Sequence, residues 1–360
     1  MTRKILFVLK DFPSDGGVEK VSLNLAYQFK REGHFVSFFV MDGTSIPKEL
    51  YKDFDIYSGN RTGLIGMILL CSKLFKWIKL GQYTAVIAAK EQANILTYIV
   101  SLVYSPFTPI YTRHCSFSVD DQCLSAKNIQ RLYRIYGKGR GKIVAVSEDL
   151  ANYIKQQIPS IRNQVYFCPN PVVCKELFDK SEINSENFSH PRPYFCAVGR
   201  LCEQKGFDLL LRSYAKALIL DKNLPDLIIV GSGELKGQLR ALADKISIND
   251  KIKFHGFSTN PYFIVKHAEL FLLSSKNEGL PTVLIEALAL KQKIVAFDCP
   301  TGPREILREG KFGALVPAQN IELFAESIVN TFNSKLAVPN DATESYTYSN
   351  SAASYLSLMN

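Results

Sequence analysis

The segment FLLSSKNEGLPTVLIEALAL, residues 271–290, gathers the side chains best suited to chemistry. Its apolar start, LFLLS, reads as a strand that runs into a short loop, and a helix opens near Pro281. Proline is preorganised for a first helical turn, where its missing N–H costs nothing. The N-terminus of such a helix exposes free N–H groups and the positive end of a dipole, so it can hold phosphate. Glu278 lies in the loop, and Glu286 stands eight residues on, inside the helix. Carboxylates accept hydrogen bonds from sugar hydroxyls, so the pair could grip two hydroxylated groups flanking a phosphate. Taken alone, the plainer readings are stronger: a helix cap for Glu278 and a solvated helix face for Glu286.

A second glycine-rich signal competes. GSGELKG, residues 231–237, follows the apolar run LIIV, and Asp250 lies roughly 20 residues on. A dinucleotide fingerprint has this outline. The spacing is G-x-G-x-x-x-G and it falls far from the chain start, so a strand-to-helix turn is the better reading. No D-x-D pair is placed to hold a metal bridging a diphosphate, since Asp120 and Asp121 are adjacent. The eight cysteines include no C-x-x-C pair, which argues for buried thiols rather than a zinc site.

These residues need strands and helices to position them, and the pattern supplies both. KILFVL, FVSFFV, TAVIAA, PIYTR, KIVAVS and VYFC read as buried strands. Amphipathic stretches such as 17–31 and 148–157 lie between them. The polar stretch 174–193 reads as a linker. A second series follows it: YFCAVG, DLIIVG, KIKFHG, LFLLS, KIVAFD and GALVP. Strand–helix alternation predicts parallel sheets covered on both faces. The expected fold is therefore α/β, with two doubly wound Rossmann-like domains facing across a cleft. Ligands of such sheets bind beyond the carboxyl ends of the strands.

Length and composition agree. The 360 residues are 47% hydrophobic and 21% charged, an ordinary globular balance that excludes a disordered chain. The N-terminal apolar run is short for a signal peptide. The uncharged stretch 92–112 is broken by Pro106 and Pro109, and a soluble helix, turn and strand explain it better than a membrane span. These two readings imply a cytosolic protein. Residues 1–180 hold 24 Lys and Arg against 15 Asp and Glu, whereas residues 181–360 hold 19 of each. A basic first half favours an anionic partner: a membrane surface, nucleic acid or a phosphorylated substrate. No nucleic-acid module is recognisable. LIGMILLCSKLFKWIKL, residues 64–80, mixes apolar residues, Trp77, Lys73, Lys76 and Lys79 in the manner of an interfacial helix. Arg131, Arg134, Lys138, Arg140 and Lys142 form a second basic cluster. A core helix with solvated lysines is the alternative for 64–80.

The segment 271–290 resembles the paired-glutamate motif of retaining glycosyltransferases with the GT-B fold, above all glycosyltransferase family 4. Other segments resemble that family in the same order: DGGVEKVSLNLA, TRHCS, VAVSEDLANYI, CPNPVV, AVGRLCEQKGFDLLLRSYAKA, LIIVGSGEL, KFHGF and DCPTGPREIL. The resemblance spans about residues 4–317, and the ordered set carries it more than any single piece. It implies an acceptor-side domain at 1–175, a nucleotide-sugar donor domain at 176–335, and a C-terminal segment, 336–360, packing back on the first domain.

The resemblance also implies roles. Arg200 and Lys205 would neutralise the donor diphosphate and stabilise the leaving nucleoside diphosphate; fixed cations suit that charge when no metal is bound. Glu286 would bind ribose hydroxyls and Glu278 the donor sugar. Gly279, Leu280, Pro281 and Thr282 would line the phosphate and sugar pocket. Gly16 and Gly17 would let the first loop approach the donor phosphate, with a plain turn as the alternative. His114 would touch the donor sugar or the acceptor side of the reaction centre, with a structural histidine as the alternative. Residues 254–257 would bracket the nucleobase. No cofactor and no divalent ion are implied. The implied enzyme is a hexosyl- or N-acetylhexosaminyl-transferase that moves a sugar from a nucleoside-diphosphate sugar, a UDP-sugar first among candidates, to an acceptor hydroxyl. GLPTVLIEALAL and DCPTGPREIL look closest to bacterial enzymes of surface polysaccharide and lipopolysaccharide assembly, which build on a lipid-linked glycan at the inner face of the cell membrane. A nucleotide-sugar epimerase of the same fold, and an NAD-dependent oxidoreductase motivated by GSGELKG, stand as alternatives.

Overall fold

The computed structural model describes residues 2–12, 17–59, 63–115, 117, 124–335 and 337–359. It divides into two compact units, residues 1–171 with 345–360 and residues 172–344.

The first unit holds strands β1 (Lys4–Leu9), β2 (Phe35–Val40), β3 (Asp55–Ser58), β4 (Ala85–Ala89), β5 (Thr108–Arg113), β6 (Lys142–Ala145) and β7 (Val165–Phe167). They form one seven-stranded sheet in the order β3-β2-β1-β4-β5-β6-β7. The second unit holds β8 (Tyr194–Val198), β9 (Asp226–Val230), β10 (Ile252–Gly256), β11 (Leu270–Leu273), β12 (Ile294–Asp298) and β13 (Ala314–Pro317), ordered β10-β9-β8-β11-β12-β13. The strand pairs are parallel in both sheets. Parallel strands are buried on both faces, which is why β1, β4 and β9 read as unbroken apolar runs.

The winding reverses next to the first strand of each unit, between β1 and β4 and between β8 and β11. A doubly wound sheet opens its ligand crevice at such a point, beyond the carboxyl ends of the strands.

Three features differ from the sequence reading. Strand β3, DIYS, carries no apolar run that would mark it, because it pairs only with β2 at the sheet edge. The stretch read as a linker contains a helix, Lys175–Ser181, whose Leu177 is buried and which packs on the helix Tyr262–Lys266. One apolar anchor in a charged seven-residue turn gives too weak a periodicity to see. The units divide after Pro171 and after Glu344 rather than after 175 and 335. The chain then rejoins the first unit through the helix Tyr348–Ser357, whose Ala352 and Tyr355 enter the same core as Leu25 and Phe29.

Candidate functional site

In the second unit, β8 ends in a loop that carries Arg200 and a single 3-10 turn, Glu203–Lys205. Gly206 closes that turn at φ 59°, and a Cβ there would stand 2.2 Å from the Ser274 carbonyl oxygen. Only glycine allows this approach. It clamps the loop after β8 against the loop after β11, and Ser274 Oγ donates to the Lys205 carbonyl at 2.9 Å. The stem of Lys205 lies over Gly199. Its Nζ reaches across the winding reversal to Glu278 Oε1 at 2.6 Å. Ser275 Oγ donates to the same oxygen at 2.6 Å, and Thr301 Oγ1 donates to the Glu278 carbonyl. Lys205 and Glu278 are both largely buried.

The loop after Glu278 turns through Gly279, Leu280 and Pro281 into the helix Thr282–Ala289, where Leu284 N–H donates to the Pro281 carbonyl. The amides of Gly279, Leu280 and Thr282 meet no acceptor among the described residues. Gly302, at φ 95°, lets the loop after β12 press on this turn, since a Cβ there would stand 2.4 Å from Pro281 Cδ. Glu286 faces Tyr262, whose hydroxyl donates to Oε1 at 3.2 Å. Burial, then the Glu286 charge, pushes the Tyr262 phenol well above its ordinary pKa, so it stays a donor. Burial and Glu278 push the Cys299 thiol up to about 12, which keeps it protonated and inert. Arg200 is exposed, and its side chain pairs with no described residue.

GSGELKG has a packing role here. Gly231, at φ 146°, lies against Gly199, where a Cβ would stand 1.9 Å from the carbonyl oxygen. Gly233, at φ 156°, lies on Leu201, where a Cβ would stand 2.5 Å from the carbonyl oxygen. Backbone bonds between Leu201 and Ser232 and between Leu235 and Leu201 complete the contact. The glycines thus press the loop after β9 onto the loop that carries Arg200 and Lys205. Residues 254–257 split: Phe254 packs on the core, while Phe257 is exposed.

In the first unit, His114 follows β5. Thr112 Oγ1 lies 3.0 Å from the Ala88 carbonyl oxygen and 2.9 Å from His114 Nε2. A carbonyl only accepts, so the hydroxyl proton goes to Ala88 and Nε2 is the donor to Thr112. That leaves Nδ1 as an acceptor with no partner among the described residues. Burial, then the positive charges of Arg113 and Lys90, lowers the His114 pKa to about 3, so the ring is neutral near pH 7. Arg113 holds this strand end, with Nη1 2.5 Å from Glu91 Oε1 and Nε donating to the Cys115 carbonyl at 2.6 Å. Gly17 opens the helix Gly17–Arg31 with room for a Cβ, so packing does not demand glycine there. Gly16 lies outside the described residues.

One cluster has no counterpart in the sequence reading. Lys90 follows β4 at φ 73°, ψ 156°, a conformation that non-glycine residues rarely hold. Its Nζ stands 2.5 Å from Glu19 Oε1 and 3.3 Å from Asp11 Oδ1. Glu19 is buried. Burial opposes the lysine charge, yet Glu19 and Asp11 raise its pKa on balance. Glu19 was inside DGGVEKVSLNLA, but nothing in the sequence pairs it with a residue 71 positions away.

Two parallel doubly wound units, each with a charged crevice at its winding reversal, define a two-domain Rossmann-like fold. Comparison with known proteins agrees. Residues 15–176 match the profile of Glycosyltransferase Family 4, and residues 178–345 match Glycosyl transferases group 1. An uncharacterized glycosyltransferase of Haemophilus influenzae is 29% identical over 330 residues, covering 89% of this chain and 88% of that protein. One from Methanocaldococcus jannaschii is 30% identical over 246 residues, covering 65% of this chain and 60% of that protein. The Campylobacter jejuni N-acetylgalactosamine-N,N'-diacetylbacillosaminyl-diphospho-undecaprenol 4-alpha-N-acetylgalactosaminyltransferase is 32% identical over 160 residues, 43% of each chain. The structure of Anabaena HepE in complex with UDP superposes with a TM-score of 0.80 over 98% of both chains at 17% identity, a likeness of fold. The chain is a glycosyltransferase of the GT-B fold and belongs to the family 4 type.

Proposed function

We propose that this enzyme is a retaining glycosyltransferase that moves a sugar from a UDP-sugar to a lipid-linked glycan in surface polysaccharide or lipopolysaccharide assembly. The observation that carries the reading is the crevice at β8 and β11. Lys205 is fixed by Glu278, and among the described residues the Arg200 side chain pairs with none and the amides of Gly279, Leu280 and Thr282 lack acceptors. Two cations and a fan of N–H donors match a diphosphate, and they stabilise the charge that grows on the leaving group without a metal. Glu278 would then meet the donor sugar, and Glu286, steadied by Tyr262, the ribose hydroxyls. His114, neutral with Nδ1 open, would accept a hydrogen bond from a sugar hydroxyl. Retention follows from front-face attack, in which the leaving phosphate takes the acceptor proton: the C–O bond to the diphosphate breaks, the acceptor C–O bond forms on the same face, and the proton passes to the phosphate. The relatives support the acceptor class. The Campylobacter enzyme is named for an undecaprenyl-diphosphate acceptor, and an Erwinia amylovora relative is named for amylovoran biosynthesis. Such an acceptor would hold the enzyme at the cytoplasmic face of a membrane.

The test is titration calorimetry with UDP in a chelating buffer. Binding is expected. Binding only after Mg²⁺ or Mn²⁺ is added would overturn the metal-free site, and no binding under either condition would overturn the donor assignment.

A further inference from the structure

The helix Gly63–Gly81 turns Leu70, Leu74 and Ile78 inward, one per turn. The opposite side carries Lys73, Lys76 and Lys79 together with Ile68 and Leu80, which are 63% and 83% exposed. The helix Glu91–Val103 packs beside it and buries Ala93, Leu96, Thr97 and Val100. Its outer side bears Ile99, Leu102 and Val103, the last two 67% and 79% exposed. Phe75 meets Tyr104 edge-on at 5.5 Å, which sets Leu102 and Val103 at the same end of the helix pair as Lys76 and Lys79. On the far side of Glu91–Val103 packs the helix Ala126–Tyr136, with Lys127, Arg131 and Arg134 exposed.

The charge along this stretch has one sign. Residues 63–142 contain eleven Lys and Arg against three acids, Glu91, Asp120 and Asp121. Glu91 is tied to Arg113. Lys73, Lys76 and Lys79 form no ion pair with a described residue. An apolar helix flanked by two basic ones is thus left facing solvent. Single exposed leucines are ordinary, but a run of them on adjacent helices marks an interaction surface. No described helix is long and apolar enough to cross a membrane.

We infer that these helices form a docking face for an anionic lipid bilayer, with Leu80, Ile99, Leu102 and Val103 entering the headgroup boundary and the flanking Lys and Arg meeting lipid phosphates. The inference rests on the lipid-linked acceptor proposed above and names the surface that meets the membrane. Apolar anchors flanked by exposed cations, in a stretch where Lys and Arg far outnumber acids, suit that occupant. Trp77, which the sequence offers as the interfacial aromatic, is not the anchor. It is partly buried, with its ring 5.7 Å from that of Tyr57. The second helix supplies the apolar tip, and its sequence contains no lysine or arginine to draw attention to it.

The experiment is co-sedimentation of the full chain with phosphatidylglycerol-rich vesicles and with phosphatidylcholine vesicles. Binding to the first and little to the second is expected, weakened by salt. Lys73→Gln/Lys76→Gln/Lys79→Gln should lower the partition constant on the order of 100-fold, and Leu102→Ser/Val103→Ser about tenfold. These side chains are exposed, so both variants should keep wild-type circular dichroism and UDP affinity. Equal partition to both vesicles, no partition to either, or variants that bind like wild type would overturn the docking face. Failure to bind UDP alongside normal vesicle binding would instead overturn the donor reading and leave the face standing.

Discussion

The two sheets wind identically through their first six strands, and each places a lysine against a glutamate at its winding reversal. The signs are exchanged. In the first unit the glutamate, Glu19, follows β1 and the lysine, Lys90, follows β4, with 2.5 Å between the charged atoms. In the second the lysine, Lys205, follows β8 and the glutamate, Glu278, follows β11, at 2.6 Å. Their surroundings differ more than their geometry. Glu19 is the most buried of the four, and among described residues only Lys90 reaches its carboxylate. Glu278 also accepts from Ser275. Around Lys205 stand Arg200 and amides that meet no partner among the described residues; around Lys90 stand a second carboxylate, Asp11, and a neutral His114. A shared topology therefore yields one crevice rich in cations and N–H donors and another in which charge is cancelled internally. The first kind suits a diphosphate, and the second suits hydroxyl groups.

Four substitutions would break or sharpen this contrast. The largest effect is expected from Lys90→Ala, which strands Glu19 as a buried charge. Breaking a buried pair in this way costs about 3–5 kcal/mol. Denaturant unfolding should show it, and a loss below about 1 kcal/mol would mean that the pair does not hold the first crevice together. Relief of backbone strain at Lys90 cannot offset it, because alanine is equally strained there.

Next come Lys205→Ala and Glu286→Ala. Glu278 keeps its serine donor in the first of these, so the stability loss should be smaller than for Lys90→Ala. Transfer should instead fall on the order of 100-fold, the usual effect of removing one preorganised group at a developing charge. Turnover near wild type in a folded variant would show that the second crevice does not do the chemistry.

The smallest effect concerns pH. His114 stays neutral in the folded chain down to about 3, whereas an unfolded histidine takes up its proton near pH 6.5. The unfolded state thus binds more protons as pH falls, so this residue contributes no pH dependence above about pH 7. It lowers stability progressively between about 6.5 and 3. At pH 5 its share is about 2 kcal/mol. His114→Gln should unfold with a correspondingly flatter profile over pH 7 to 5. An unchanged slope would show that the ring is protonated in the folded protein.

Much of this was legible in the residues. Apolar runs bounded by turns marked twelve of the thirteen strands found among the described residues, because a parallel strand is buried on both faces and cannot alternate. The exception, β3, is an edge strand that shares one partner. The spacing of Glu278 and Glu286 about Pro281 pointed to a loop entering a helix, and the chain does this because proline fits the first turn. Local chemistry of this kind is written within a few residues. The pairings are not. Lys205 with Glu278 is a contact 73 positions apart, Glu286 with Tyr262 is 24 apart, and Glu19 with Lys90 joins two loops that only the order of strands brings together. The glycines of GSGELKG looked like a cofactor motif because φ and close approach are visible in sequence only as glycine, while what the backbone approaches is decided by the neighbouring strand. The same holds for the surface. A run of lysines shows a basic helix, but which apolar residues remain uncovered depends on which helix packs beside it, and that is settled only when the sheet is wound.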